Sequence, residues 1–140
     1  KEEIQELVQH LEDTKSERAA NNMKALYERI EKVMAEDELY LNPELDIRML
    51  AEAAFSSRSI VSACINTMTG KTFRQWLSEY RLTLFEQMLK ENPDVSIDDL
   101  MLRCGYKDQS TFRRQFKAAY GMTAGEYRKQ LSEETESQHL

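Results

Sequence analysis

Glycine and proline are scarce in this 140-residue chain, four and two respectively. So few breakers exclude an all-β fold, which needs many tight turns. No apolar run approaches the roughly 18 residues of a membrane span, and no secretory leader is visible. The first residue is Lys1 rather than Met, so the numbering is expected to begin inside a longer protein or after a removed tag. Histidine is absent between residues 11 and 138, leaving only His10 and His139. With them stand two well-separated cysteines, Cys64 and Cys104. That set makes neither a metal site nor a disulfide framework. Both cysteines fall at apolar helical positions and read as buried free thiols, which suits a reducing, cytoplasmic setting. There is no Ser–His–Asp arrangement and no glycine-rich phosphate loop. The carboxylates of the first 46 residues are spread over helix surfaces. No catalytic residues, cofactor or metal are expected, and an enzyme is the weakest reading.

What is present is helical and charged: 41% hydrophobic and 31% charged residues, in proportions that suit a soluble, globular, all-α protein. The net charge of −6 at first argues against nucleic acid, but its distribution reverses that. Residues 1–46 hold six Lys/Arg and thirteen Asp/Glu, a net of −7, whereas residues 100–131 hold seven against two, a net of +5. The acidic segment is therefore expected to point away from any polyanion bound by the basic one.

Residues 1–38 read as a helical arm. Ile4, Leu7, Val8 and Leu11 form an apolar stripe close to an a/d seam. Met23, Leu26, Tyr27, Ile30, Val33 and Met34 form a second periodic run, with a weak point at Asp13, Thr14 and Ser16 between them. Two readings stand: one or two helices packing on the domain, or a coiled-coil connector from an upstream sensor or a dimer seam. Asn42-Pro43 breaks the pattern. Asp46 then caps a short helix over 47–54, and a polar turn leads to a helix over 59–68 ended by Gly70. Thr72 caps a long helix over 73–91, with Phe73, Trp76, Leu77, Tyr80, Leu84, Met88 and Leu89 inward. Ser96 opens a short helix whose inner face is Leu100, Met101 and Cys104. Gly105 makes the turn. Asp108 caps the helix 109–120, with Phe112, Phe116 and Tyr120 toward the core. Gly121 ends it, a last helix runs to Leu131, and residues 132–140 are expected to be a frayed, disordered tail.

The two short helix pairs repeat each other. Leu50-Ala51 answers Leu100-Met101, Val61 answers Phe112, Ile65 answers Phe116, and Gly70-Lys71-Thr72 answers Gly121-Met122-Thr123. Each pair is a helix-turn-helix, and the 73–91 helix joins them. Nineteen residues span roughly 28 Å at about 1.5 Å per residue. Recognition helices held about 34 Å apart would enter successive major grooves. The expected segments are the arm, 1–38; the first unit with the linker helix, 39–92; the second unit, 93–131; and the tail.

The span from about Leu39 to Leu131 resembles the DNA-binding domain of AraC/XylS-type bacterial transcription regulators. The match is carried by Leu50-Ala51-Glu52; by Gly70-Lys71-Thr72-Phe73 with Trp76-Leu77 and Tyr80-Arg81-Leu82; by Gly105-Tyr106-Lys107-Asp108-Gln109-Ser110-Thr111-Phe112; by Phe116-Lys117; and by Gly121 with Glu126-Tyr127-Arg128. The resemblance implies seven helices, two helix-turn-helix units and control of transcription at promoter DNA. The first unit departs from the pattern. Phe55 stands where the turn normally has Gly, and Ala63 and Asn66 stand where the first recognition helix normally shows Arg and Lys. Met101 replaces a small Ala, and Ala124-Gly125 replaces a Ser/Pro-type opening.

On the outer face of 109–120, Gln109, Ser110, Arg113 and Arg114 are candidates for base edges. Arg can hold guanine O6 and N7, and Gln can hold adenine N6 and N7. In the family pattern the position of Arg114 often braces phosphate or a neighbouring side chain. Ser59, Ser62 and Asn66 are the corresponding candidates in 59–68, through hydroxyl and amide contacts. Lys117, Lys107, Arg58 and Lys71 suit phosphate, as do Thr72 and Thr123 at helix N-termini. The plainer alternative for all of them is a solvated polar face. Trp76, Tyr80 and Phe85 read as core rather than base-stacking platforms, and Arg81 as half of a structural ion pair. The expected partners are double-stranded promoter DNA, RNA polymerase, a second copy through the arm, and an upstream sensor outside this chain. The rival is an all-helical protein-interaction or dimerisation module with a degenerate first unit.

Overall fold

The computed structural model describes residues 1–139, with side chains through Glu136. It contains seven α-helices and no strand among the described residues: α1 (Glu2–Glu36), α2 (Ile47–Ala53), α3 (Arg58–Thr69), α4 (Phe73–Glu91), α5 (Ile97–Arg103), α6 (Gln109–Tyr120) and α7 (Ala124–His139). A short 3-10 turn, Leu39–Leu41, follows α1. The all-α architecture with two helix-turn-helix units agrees with the expectation.

The helix starts are set by side chains that satisfy amides the first turn leaves unpaired. Asp46 accepts from the Met49 amide at 2.8 Å, Ser57 from Ile60 at 3.3 Å, Ser96 from Asp99 at 3.1 Å and Thr123 from Glu126 at 3.1 Å. Asp108 accepts from the Ser110 amide at 3.0 Å.

The chain packs as two compact units whose boundaries differ from the expected ones. The first comprises Lys1–Asp37 and Asp46–Phe73; the second comprises Glu38–Leu45 and Arg74–Leu140. In the first unit, Leu26, Ile30 and Met34 of α1 are buried, as are Leu50 and Ala51 of α2 and Val61, Cys64 and Ile65 of α3. The second half of α1 is thus core to the first helix-turn-helix rather than part of a separate arm, because its apolar face repeats at helical spacing opposite α2 and α3. The Cys64 thiol donates to the Met23 carbonyl at 3.3 Å. Asp13, Thr14 and Ser16 do not break α1, which is one uninterrupted helix. Gln9 donates to Asp13 at 2.9 Å and the Thr14 hydroxyl to the His10 carbonyl at 2.9 Å, so these polar residues spend their groups along the helix.

The second unit is built on α4. Leu82, Phe85 and Leu89 bury against Leu100 and Met101 of α5, Cys104, Tyr106, and Phe112 and Phe116 of α6. Aromatic contacts fill its centre, with Phe85–Phe112 centroids at 4.7 Å, Phe85–Phe116 at 5.6 Å and Phe116–Tyr120 at 4.4 Å. The expected inward face of α4 omitted Arg81 and Leu82, which are buried; Phe85, read as core, is fully buried, and Leu84 and Met88 are only partly so. The Met101 side chain is accommodated inside the core at 3% exposure.

Among the described residues, Arg81 makes no ion pair of the kind expected. Its Nε donates to the Tyr40 carbonyl at 3.1 Å and its Nη2 to the Asn42 carbonyl at 2.8 Å, and its guanidinium lies 5.8 Å from the Tyr106 ring centroid. These bonds fasten residues 38–45 to the second unit. Gly105 completes the fastening: with φ +95°, a Cβ here would lie 1.8 Å from the Tyr40 carbonyl oxygen. The closing residues also differ from expectation. Residues 132–139, expected to fray, continue α7, since they contain no glycine or proline to stop it. The Thr135 hydroxyl returns to the Leu131 carbonyl at 3.0 Å, and Leu140 lies outside the described residues.

Candidate nucleic-acid interface

The outer face of α6 is set by its inner one. Phe112 and Phe116 are driven into the core. Positions three and four apart share a face, so Gln109, Arg113 and Lys117 form one row and Ser110 and Arg114 the next. All five are exposed. Arg113, Arg114 and Lys117 form no ion pair or hydrogen bond within the described residues. Three cations and an amide therefore face solvent together at the start and middle of one rigid helix.

Ser110 is differently placed from the others. Its hydroxyl donates to Asp108 at 2.9 Å and 3.1 Å, and the Thr111 hydroxyl donates to the same carboxylate at 2.8 Å. These bonds, from Thr111 first and Ser110 second, hold the Asp108 carboxyl below its ordinary value. The hydroxyl of Ser110 is thus occupied in ordering the helix start.

Lys107 is also occupied. Its ammonium lies 2.6 Å from Glu44, in an ion pair exposed on both sides. The hydrogen bond lowers the Glu44 carboxyl below its usual range and raises Lys107 above its own. An exposed pair of this kind exchanges readily for a stronger anionic partner.

Gln115 is a residue whose role sequence reasoning missed. It accepts from the Tyr106 hydroxyl at 2.6 Å and from Ser78 at 3.0 Å, which ties α6 to α4 and to the turn before α6. Burial raises the Tyr106 phenol to about 12, so this donor keeps its proton. A second tie is Glu86, which accepts from the Tyr127 hydroxyl at 2.6 Å and from Tyr120 at 2.8 Å. No helical spacing rule flags these contacts, since their partners lie nine to forty-one residues apart.

In the first unit, Ser59, Ser62, Ala63 and Asn66 lie together on the exposed face of α3, and Arg58 is its first residue. Ser59 shares a contact of 3.3 Å with Ser57. The face has hydroxyl, amide and methyl groups but no charge beyond Arg58. Phe55 in the turn is 91% exposed and held at φ +56°, a conformation that ordinarily selects glycine. Lys71 and Thr72 immediately precede α4, and Thr123 caps α7.

A family described as a helix-turn-helix domain matches residues 50–130. The chain belongs to this AraC-type helix-turn-helix family. Among curated relatives, it is 28% identical over 102 residues to the probable transcriptional regulator LumQ of Photobacterium leiognathi, covering 71% of this chain and 41% of that one. It is 32% identical over 87 residues to the transcriptional activator NphR of a Rhodococcus species, covering 62% and 25%. Its backbone superposes on the DNA-binding domain of the global transcriptional factor AdpA, solved in complex with a target DNA. That match has a TM-score of 0.61 and 29% identity, and covers 71% of this chain and 89% of that one. This AraC-type chain is of the DNA-binding, transcription-regulating class. It spans less than half the length of LumQ and a quarter of NphR. None of its described helices is long and apolar enough to cross a membrane.

Proposed function

We propose that this domain reads promoter DNA chiefly through α6, with Gln109, Arg113 and Arg114 at base edges and Lys117 on phosphate. The observation that carries the reading is the shared exposed face on which Arg113, Arg114 and Lys117 stand without an ion pair among the described residues. Such groups gain from releasing condensed counterions, and Arg adds a two-pronged match to guanine. Ser110 contributes through its position more than its hydroxyl, which Asp108 holds. Lys107 joins the phosphate contacts by exchanging Glu44 for the DNA backbone. Thr123, Lys71, Thr72 and Arg58 lie at or beside helix N-termini, where amides suit phosphate. The helix α3 assists through Ser59, Ser62 and Asn66, with affinity lower than a cationic helix would give.

The working protein, on this reading, is cytoplasmic, carries a sensor beyond this chain, and engages RNA polymerase at its promoters. The rival interaction module is favoured by one observation, the uncharged face of α3 beside the exposed Phe55. A gel-shift titration on promoter fragments at two salt concentrations separates the two. Affinity should fall steeply with salt, and Arg113→Ala should weaken binding by roughly 1–3 kcal/mol. Equal binding by the variant and the unaltered chain would reject α6 as the reading helix.

A further inference from the structure

Beside the second recognition helix is a cavity that DNA reading does not account for. It has a volume of about 380 Å³ and lies between the start of α5, the flank of α6 and the start of α7. Ile97, Phe112, Ala124 and Gly125 give it apolar walls. Arg113, Lys117 and Arg128 also line it, against a single carboxylate, Asp98, so its charged groups sum to +2. The volume falls in the roughly 300–1,000 Å³ range of small-molecule sites. A phosphodiester lying on the surface needs no apolar enclosure of this size.

The third cation supplies an independent observation. Arg128 is anchored on one side, where Nη2 donates to the Val95 carbonyl. Its Nε is buried and has no hydrogen-bond partner. A buried donor without an acceptor is costly and uncommon in folded proteins. An oxyanion entering the cavity would meet the charges of Arg113, Lys117 and Arg128, while an apolar body would lie against Ile97, Ala124 and Gly125. At Gly125 a Cβ would meet Ile97 Cδ1 at 3.9 Å and Thr123 Oγ1 at 4.0 Å, ordinary contact distances, so a first side-chain atom fits there without overlap.

We propose that this cavity binds a small amphipathic organic anion, a carboxylate or sulfonate on an apolar body, and that the bound anion competes with DNA. Competition follows from shared residues, since Arg113 and Lys117 line the cavity and also stand on the exposed face of α6. The competition rests on the DNA-binding reading, whereas occupancy of the cavity does not.

Anilinonaphthalene sulfonate is a suitable probe, with its uncharged phenylnaphthylamine counterpart and inorganic phosphate as comparisons. The sulfonate should bind at one site per chain and shift the methyl resonances of Ile97 and Ala124. Phenylnaphthylamine and inorganic phosphate should each bind at least tenfold more weakly. Gly125→Leu, which fills the cavity, should weaken the sulfonate at least tenfold, with helical circular dichroism confirming that the variant is folded. Methyl shifts confined to Leu7 and Leu11 of α1 would overturn the proposal, as would undiminished binding by a folded Gly125→Leu. Equal binding of inorganic phosphate would reduce the cavity to a phosphate contact and also overturn it. At a probe concentration about ten times its Kd, duplex affinity should fall about tenfold. If the duplex fails to bind even without probe, the DNA reading fails while the methyl shifts still decide the cavity.

Discussion

Arg81 and Gly105 show how much of this domain depends on single residues. Arg81 is 8% exposed and bonds only to main-chain carbonyls, so its charge is offset by two peptide dipoles and the Tyr106 ring. Burial consequently lowers its pKa below the ordinary guanidinium value. Gly105 allows the Tyr40 carbonyl to approach where any side chain would stand. Gly105→Ala should therefore cost about 3 kcal/mol or more in urea unfolding, through overlap and a left-handed backbone together. A loss under about 1 kcal/mol would show that residues 38–45 are not held as described. Glu86 gives a pH test. Hydrogen bonds from Tyr127 first, then from Tyr120 and Lys90, hold its carboxyl below the usual value against an opposing effect of burial. Its folded pKa lies below its unfolded one, so its contribution is present above the ordinary glutamate range and is lost as pH falls through the folded value. The melting-temperature gap between the unaltered chain and Glu86→Gln should therefore narrow from neutral pH to about pH 3. A gap that stays constant would remove Glu86 from the acid sensitivity.

At the scale of elements, the helices of the second unit were legible because each signal is local. Ser96 and Asp108 cap, Gly105 turns, and Phe112 and Phe116 repeat four apart. The candidate face of α6 was legible for the same reason, since a known inner face determines the outer one. What escaped was non-local: the carbonyl partners of Arg81, the grip of Gln115, and the Glu44 partner of Lys107. No spacing reports a contact across forty residues. The arm left two readings open because its two apolar runs differ in fate. Ile30 and Met34 are fully buried, whereas Ile4, Leu7 and Leu11 are 67%, 59% and 54% exposed. Nothing in the described structure covers this first stretch, and an isolated helix of that length is marginal in water. The second copy expected from the sequence would cover it along the Ile4–Leu7–Leu11 seam, an expectation that sedimentation can test. Sedimentation equilibrium should give a dimer, and Leu7→Asp with Leu11→Asp should return a monomer that keeps its helical core. A monomer for the unaltered chain at high micromolar concentration would dismiss the seam.

At the scale of the whole molecule, charge is segregated along the chain. The excess of acid lies in residues 1–46 and the excess of base in residues 100–131. An overall charge of −6 is compatible with DNA binding because screening limits repulsion to about 8–10 Å at physiological salt, while the cations of α6 act at contact. Amide chemical-shift mapping with a duplex that the chain shifts in a gel tests this most directly. The largest perturbations should fall on Gln109 through Lys117, weaker ones on Ser59 through Asn66, and almost none on the first twenty residues of α1. Perturbations centred on α1 or Phe55, with the amides of α6 unmoved, would contradict the account.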